Sequence, residues 1–362
     1  MTRRPFIYTL GATAAAFTTR TRAAEPSAKK LGWALVGLGS LSTDQIAPAL
    51  LKCQHSKLTA IVTGTPDKAA KWKARYGIPD RHHYDYDNFD TIISNPEVDV
   101  VYIVLPNSMH EEFTLRAAAA GKHVFCEKPM ANNADECRRM IAAVAKAGRQ
   151  LGIGYRCQFE PHHRECIRIA REKVLGTIKH IEAGFGFTIG DPGQWRLRKK
   201  LAGGGALMDV GIYALQAARY LTGEEPNEIS ATEAKTDLVK FAEVDETIAW
   251  SMKFPSGTTA SLVTSYAFNG ANAFTAYAEK GLFGVKSAFG YEGQSGFTNV
   301  DHLKIEFPEN DNFMSQMDAF SHAILSARPF EPSGADGLKD LLAIDAIYCA
   351  IREGRAIVPE KA

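Results

Sequence analysis

Lys128, Asp209 and Tyr213 are of the types that move protons beside a carbon–oxygen bond: Lys128 lies within Glu127-Lys128-Pro129, and Asp209 and Tyr213 are four residues apart. An ammonium polarises a carbonyl oxygen, and a phenol beside a carboxylate and an ammonium can give and take a proton. Four residues make about one helical turn, so Asp209 and Tyr213 share a face if their segment is a helix. Taken alone, an Asp/Tyr pair is more often solvated surface or packing, so its meaning depends on its surroundings.

A second set of residues fits an anion. Gly37-Leu38-Gly39-Ser40-Leu41-Ser42 follows an apolar run and precedes a helical stretch, the order of a dinucleotide-binding turn with Ser42 in place of the last glycine. Its first two glycines serve the tight turn and the close approach to pyrophosphate, which would sit on the free N–H groups of the helix start. The second strand closes at Thr63, where an NAD enzyme carries Asp or Glu for the ribose hydroxyls. Thr63-Gly64-Thr65 and the cation Lys68 stand there instead, which suits a ribose phosphate and predicts NADP. Asp67 argues mildly the other way, and a solvated Lys68 is the plain alternative.

These groups need a scaffold. From Trp33 to Gly154, strands are expected at Trp33 to Gly37, Leu58 to Thr63, Val98 to Leu105, His123 to Cys126 and Leu151 to Gly154. Helices fit between them at Thr43 to Cys53, Pro66 to Tyr76, Met109 to Ala120 and Ala134 to Gly148. The alternation predicts an α/β protein with an N-terminal Rossmann dinucleotide-binding domain over residues 31–154, with Glu127-Lys128-Pro129 at the carboxyl edge of its parallel sheet. After Tyr155 the pattern changes. A helix near Pro161 to Leu175, a strand near Ile178 to Thr188, and a glycine turn at 203–205 opening a helix through Leu221 come first. Strands follow at Glu246 to Phe254, Thr258 to Phe268, Phe274 to Glu279 and Leu303 to Phe307, the first two joined by a Pro255-Ser256-Gly257 turn. Residues 155–362 thus read as an α+β substrate and oligomerisation domain on a mostly antiparallel sheet, and the helices Phe313 to Ala327 and Gly337 to Glu353 return to the first domain.

Composition narrows the function. With 362 residues, 45% hydrophobic and 23% charged, the chain is globular and long enough for two domains. Lys plus Arg is 42 and Asp plus Glu is 41, a net charge of +1, so neither nucleic acid nor a membrane surface is an expected partner. The six cysteines form no Cys-x-x-Cys and no zinc-type cluster, which indicates structural thiols and no metal. Residues 1–30 differ: Arg3-Arg4 before Phe6 and a short apolar run to Phe17 read as a twin-arginine export signal, with a disordered basic tail as the alternative. Arg22 interrupts an Ala-x-Ala cleavage pattern, and Glu25 to Lys30 would remain as an arm over the nucleotide. Export predicts a periplasmic protein and a cofactor that stays bound, because a released one would be lost.

Glu127-Lys128-Pro129, Pro106-Asn107-x-x-His110 and Asp209-x-Gly211-x-Tyr213 together resemble the glucose-fructose oxidoreductase, inositol dehydrogenase and rhizopine-catabolism family of Rossmann oxidoreductases. The segments 154–157, 194–198, 201–205, 208–213 and 220–226 are similar to its glucose-fructose oxidoreductase branch, and the likeness runs from about residue 31 to about 358. The resemblance implies that Lys128 polarises a sugar next to the nicotinamide, that Tyr213 is the acid/base, and that Asp209 orients the sugar. It places Leu105, Pro106, Asn107, His110 and Glu127 along the cofactor, and Tyr155, Arg156, Trp195 and Arg196 around the cofactor and sugar. It also implies a homodimer or homotetramer, and hydride transfer from an aldose to a second sugar through tightly bound NADP. An ordinary NADP-dependent sugar or cyclitol dehydrogenase, and a sugar-sensing member without turnover, are the alternatives.

Overall fold

The computed structural model describes residues 29–362. Of the expected leader and arm, residues 1–28 lie outside the described residues, and the Lys30 ammonium donates to the Cys53 carbonyl at 2.6 Å.

The apolar run Leu31–Val36 is β1, and all six of its residues are buried, as a central strand covered on both faces requires. β2 (Ser56–Val62), β3 (His83–Tyr84), β4 (Val100–Ile103), β5 (His123–Cys126) and β6 (Leu151–Ile153) join it in a parallel sheet of order β3-β2-β1-β4-β5-β6. Helices α1 (Ala47–Lys52), α2 (Pro66–Tyr76), α3 (His110–Ala119) and α4 (Ala134–Lys146) make the crossovers, and α1 is preceded by a π-helical turn at Ser42–Ile46. Strand order reverses between β1 and β4, so the ligand crevice of this sheet lies beyond their carboxyl ends, at Gly37 and at 105–107.

The second domain begins with α5 (Pro161–Arg171), β7 (Ile178–Gly186), α6 (Lys199–Ala202) and α7 (Ile212–Thr222). β8 (Glu228–Ala234), β9 (Thr247–Lys253), β10 (Thr259–Ser265), β11 (Asn272–Ala278), β12 (Gly281–Lys286) and β13 (Ser295–Thr298) follow. The seven strands run β13-β12-β11-β7-β10-β9-β8, and every pairing is antiparallel except that of β7 with β10. β9 alternates buried Ile248, Trp250 and Met252 with exposed Ala249, Ser251 and Lys253, so one face takes the helices and the other is open.

The last two helices, α8 (Asn312–Leu325) and α9 (Gly334–Glu353), tie the domains together. Trp33 of β1 donates its indole N–H to Ser321 at 3.0 Å and lies 5.9 Å from the Phe320 ring, so α8 belongs to the core of the first domain. α9 opens beside β6, where Ile153 donates to the Pro332 carbonyl at 3.1 Å. Its Asp336 and Asp340 then hold the buried Arg219 of α7.

The sequence reading omits β3, β8, β12 and β13. Leu303 to Phe307, expected as a strand, is not one: Ile305 packs on Gly296 of β13, and the Phe307 N–H goes to His162 at 3.3 Å instead of to a strand partner. Of the cysteines, five are buried and all six are free thiols.

Phe320 is fully buried against Trp33, Phe125 and Phe330, so Phe320→Ala should cost about 3–5 kcal/mol of unfolding free energy by urea titration. A loss below about 1 kcal/mol would mean that α8 is an appendage and not part of that core.

Candidate active site

Lys128 follows β5 at the carboxyl edge of the parallel sheet, and Asp209 lies in a π-helical turn, Leu207–Gly211, that runs into α7. The domains meet where these side chains meet. The Lys128 ammonium donates to the Asp209 carbonyl at 2.5 Å and to its Oδ1 at 3.1 Å. Oδ2 accepts from Arg196 Nε at 3.0 Å and from the Tyr266 hydroxyl at 2.9 Å. Burial alone would push the Asp209 carboxyl up, but Lys128 and Arg196 outweigh it and hold the group at about 2, below its ordinary 3.8. Burial likewise opposes the charge on Lys128, and Tyr213, Asp209 and Glu127 reverse that effect and raise its pKa. Asp209 is therefore a fixed anion and Lys128 a fixed cation at neutral pH.

With both its oxygens already accepting hydrogen bonds, Asp209 is an electrostatic anchor and a poor proton carrier. Tyr213 is the better one. It sits one turn further along, 8% exposed, packed against the rings of Phe185 and Phe289. The Lys128 ammonium and the Arg156 guanidinium lie over its ring at 4.9 and 5.1 Å.

The segment carrying this pair is set by the glycine turn before it. Asp245 accepts from the Gly205 N–H at 2.6 Å, the Leu207 N–H at 2.8 Å and the Tyr348 hydroxyl at 2.7 Å. A Cβ at Gly205 would run into the Asp245 backbone, so this approach requires glycine.

The residues expected for a dinucleotide fit one. Gly37 has φ +91°, and a Cβ there would meet the Val104 carbonyl. Ser42 closes the turn by donating to the Gly37 carbonyl at 2.5 Å, while Gly39 faces open space where a pyrophosphate would lie. Leu38 is buried, Ser40 exposed and Leu41 half-buried at the helix start. Beyond β2, Thr63 is buried and Gly64 and Lys68 are exposed, with the Tyr86 ring close to Gly64. Leu105 and Pro106 line the end of β4, and Asn107 donates to the Ala202 carbonyl at 2.8 Å, a second tie between the domains.

Three expectations change. His110 is fully buried with its ring nitrogens 2.8 and 2.9 Å from the Pro129 and Leu105 carbonyls, so it clamps two strand-end loops and has no surface for a cofactor. Tyr155 is 1% exposed, its phenol buried near Asp340 of α9, which leaves it next to no surface for a sugar. Arg156 spends its two terminal nitrogens on the Phe289 and Gly290 carbonyls, so it acts on Tyr213 and not as a free ligand-binding fork. Trp195 is half-buried under the Arg196 guanidinium at 4.6 Å, and it is Arg196 that reaches Asp209.

Tyr266, Asp245 and Tyr291 were not legible as site residues. Tyr291, half exposed, lies under the Arg156 guanidinium at 4.8 Å and borders the cleft. Each follows or precedes a strand, where an aromatic or acidic residue carries no signal of its own.

Comparison with known proteins agrees with this fold. A family model described as an oxidoreductase family with an NAD-binding Rossmann fold matches residues 31–155, and a Gfo/Idh/MocA C-terminal domain model matches residues 163–283. The chain is similar to a crystal structure of aldose-aldose oxidoreductase from Caulobacter crescentus complexed with glycerol. The two are 48% identical with a TM-score of 0.88, over 91% of this chain and 100% of the other. D-xylose 1-dehydrogenase [NADP(+)] from Haloarcula marismortui is 29% identical over 87% of this chain and 89% of its own. A levoglucosan dehydrogenase complexed with NADH and levoglucosan shares the fold at 21% identity and a TM-score of 0.79, covering 92% of this chain and all of that one.

Because the folded pKa of Asp209 lies below its unfolded value, its stabilisation is complete above about pH 4 and is lost as pH falls toward 2, roughly 2 kcal/mol in all. The gap in unfolding free energy between the wild type and Asp209→Asn should shrink over that window, and a gap independent of pH would contradict the assignment.

Proposed function

The chain belongs to the Gfo/Idh/MocA family of oxidoreductases, and from that premise we propose that it passes a hydride between two sugars through an NADP(H) that stays bound. The observation that carries this reading is the convergence of Lys128, Asp209 and Tyr213 at the domain junction, beside the open glycine cradle at Gly37 and Gly39. Thr63, Gly64 and Lys68, with no carboxylate at the end of β2, favour the ribose phosphate of NADP.

NADP(H), when bound, takes up the hydride from one sugar and returns it to another. In the first half, Tyr213 accepts the proton of the anomeric hydroxyl of an aldose such as glucose as C1 becomes the carbonyl of an aldonolactone. Lys128 stabilises the charge on the reacting oxygen, and Asp209, itself held by Arg196 and Tyr266, keeps the ammonium in place. In the second half, Tyr213 returns the proton to the oxygen of a ketose or second aldose, giving an alditol, so protons and hydride balance over the pair. Trp195 and Arg196 border the sugar.

The twin-arginine sequence at Arg3-Arg4 supports periplasmic export of a protein already folded around its cofactor. The open face of the second sheet supports a homodimer or homotetramer. A dehydrogenase with exchangeable cofactor is the second reading, favoured by the likeness to the xylose dehydrogenase.

Lys128→Met and Tyr213→Phe should each lower turnover at least about 100-fold while leaving bound nucleotide unchanged by absorbance and mass. Retained turnover in either variant would refute the assigned roles. Lys68→Ala should weaken NADP binding roughly tenfold and leave NAD binding unaltered in a calorimetric titration of the apoprotein; equal loss for both would remove the ribose-phosphate assignment.

A further inference from the structure

Glu127 is buried with no cation in hydrogen-bonding contact among the described residues, because the adjacent Lys128 ammonium is turned to Asp209. Its Oε1 accepts the Tyr102 hydroxyl at 2.6 Å, and its Oε2 accepts the Lys128 backbone N–H at 3.2 Å. Tyr102 in β4 is fully buried, and its oxygen accepts from Gln316 Nε2 of α8 at 3.3 Å. Gln316 is also fully buried, and its own Oε1 has no partner among the described residues.

The chain of hydrogen bonds has one direction. A phenol has a single proton, and here it goes to the carboxylate, so the amide of Gln316 must present its NH2 to the phenol oxygen. Burial drives the Glu127 carboxyl up, while the Tyr102 hydroxyl and the charge of Lys128 favour its ionised form. An acid buried without a cation is unfavourable unless its lone pairs are used. Glu127 directly follows β5, at the carboxyl edge of the sheet where ligands of open α/β folds bind, and it keeps 6% of its surface exposed.

We propose that Gln316 and Tyr102 are positioning residues that hold the Glu127 carboxylate to accept ribose hydroxyls on the nicotinamide side of the dinucleotide, so that α8, which packs on the first domain, sets how long the cofactor stays bound. This rests on the reading of the chain as an oxidoreductase with a resident NADP(H). Without the Tyr102 hydroxyl, Glu127 loses its shortest hydrogen bond and takes up a proton more readily, which turns an acceptor into a donor. The ring of Tyr102, packed on Trp33 and Phe125, is kept in Tyr102→Phe, so that variant retains the core.

The test is the release rate of NADP⁺ from the full-length protein, followed by nucleotide fluorescence after reduction and by rapid desalting. Tyr102→Phe should speed release roughly tenfold or more and Gln316→Leu about threefold, and Gln316→Leu should add nothing in the Tyr102→Phe background. The sugar KM should stay within about twofold in all three variants. Release at the wild-type rate in Tyr102→Phe, or effects of the two substitutions that add, would overturn the chain. A wild-type protein that takes up no NADP⁺ would overturn this inference together with the reading beneath it, whereas wild-type retention shared by Tyr102→Phe would overturn this inference alone.

Discussion

The ion pair between Lys128 and Asp209 crosses the boundary between the two domains, and the remainder of the site is arranged around it. A buried pair of charges is stable only when its remaining donors and acceptors are used, since removal from water costs more than the attraction returns. Here the carboxylate takes Arg196 and Tyr266 as well, and the ammonium takes the Asp209 carbonyl besides the carboxylate. The geometry demands that a loop after β5 and a π-helical turn before α7 arrive within a few ångströms of each other. Asp245 fixes that turn, Asn107 bridges to Ala202, and Arg219 locks α7 to α9.

This constraint explains why the chain returns to its first domain after building its second. α8 fills the face of the parallel sheet beside Trp33, and α9 runs from the end of β6 to the back of α7. The dinucleotide cradle and the Tyr213 phenol sit on different domains, so in the proposed mechanism the hydride acceptor and the proton acceptor are aligned only as well as the domains are. Two returning helices make that alignment part of the core. The same helices bring polar groups such as Gln316 under the cofactor edge of the sheet.

Much of this was legible in the sequence, for local reasons. The glycine turn at Gly37 and Gly39 follows from backbone sterics, and Pro66 and Gly77 punctuate α2 so plainly that its bounds agree to the residue. Asp209 and Tyr213 were readable because one helical turn separates them. What stayed hidden is long-range. Tyr266 reaches Asp209 across 57 residues, and Tyr102 meets Gln316 across 214, and neither spacing has a period that a sequence displays. His110 and Tyr155 failed in the opposite way: their motifs matched, but each side chain is turned into the core. The short edge strands β3 and β13 lack enough alternation to stand out, while Leu303 to Phe307 has the alternation and no partner to pair with.

The central claim is that one site with a resident cofactor serves two sugars in turn. The direct test is the near-ultraviolet absorbance of protein purified without added nucleotide, recorded as glucose and then fructose or a second aldose are supplied. The account predicts a reduced-nicotinamide signal that rises to about one equivalent per site and falls again when the second sugar arrives. No signal until free NADP⁺ is added, followed by steady multiple turnover, would contradict it and mark an ordinary dehydrogenase.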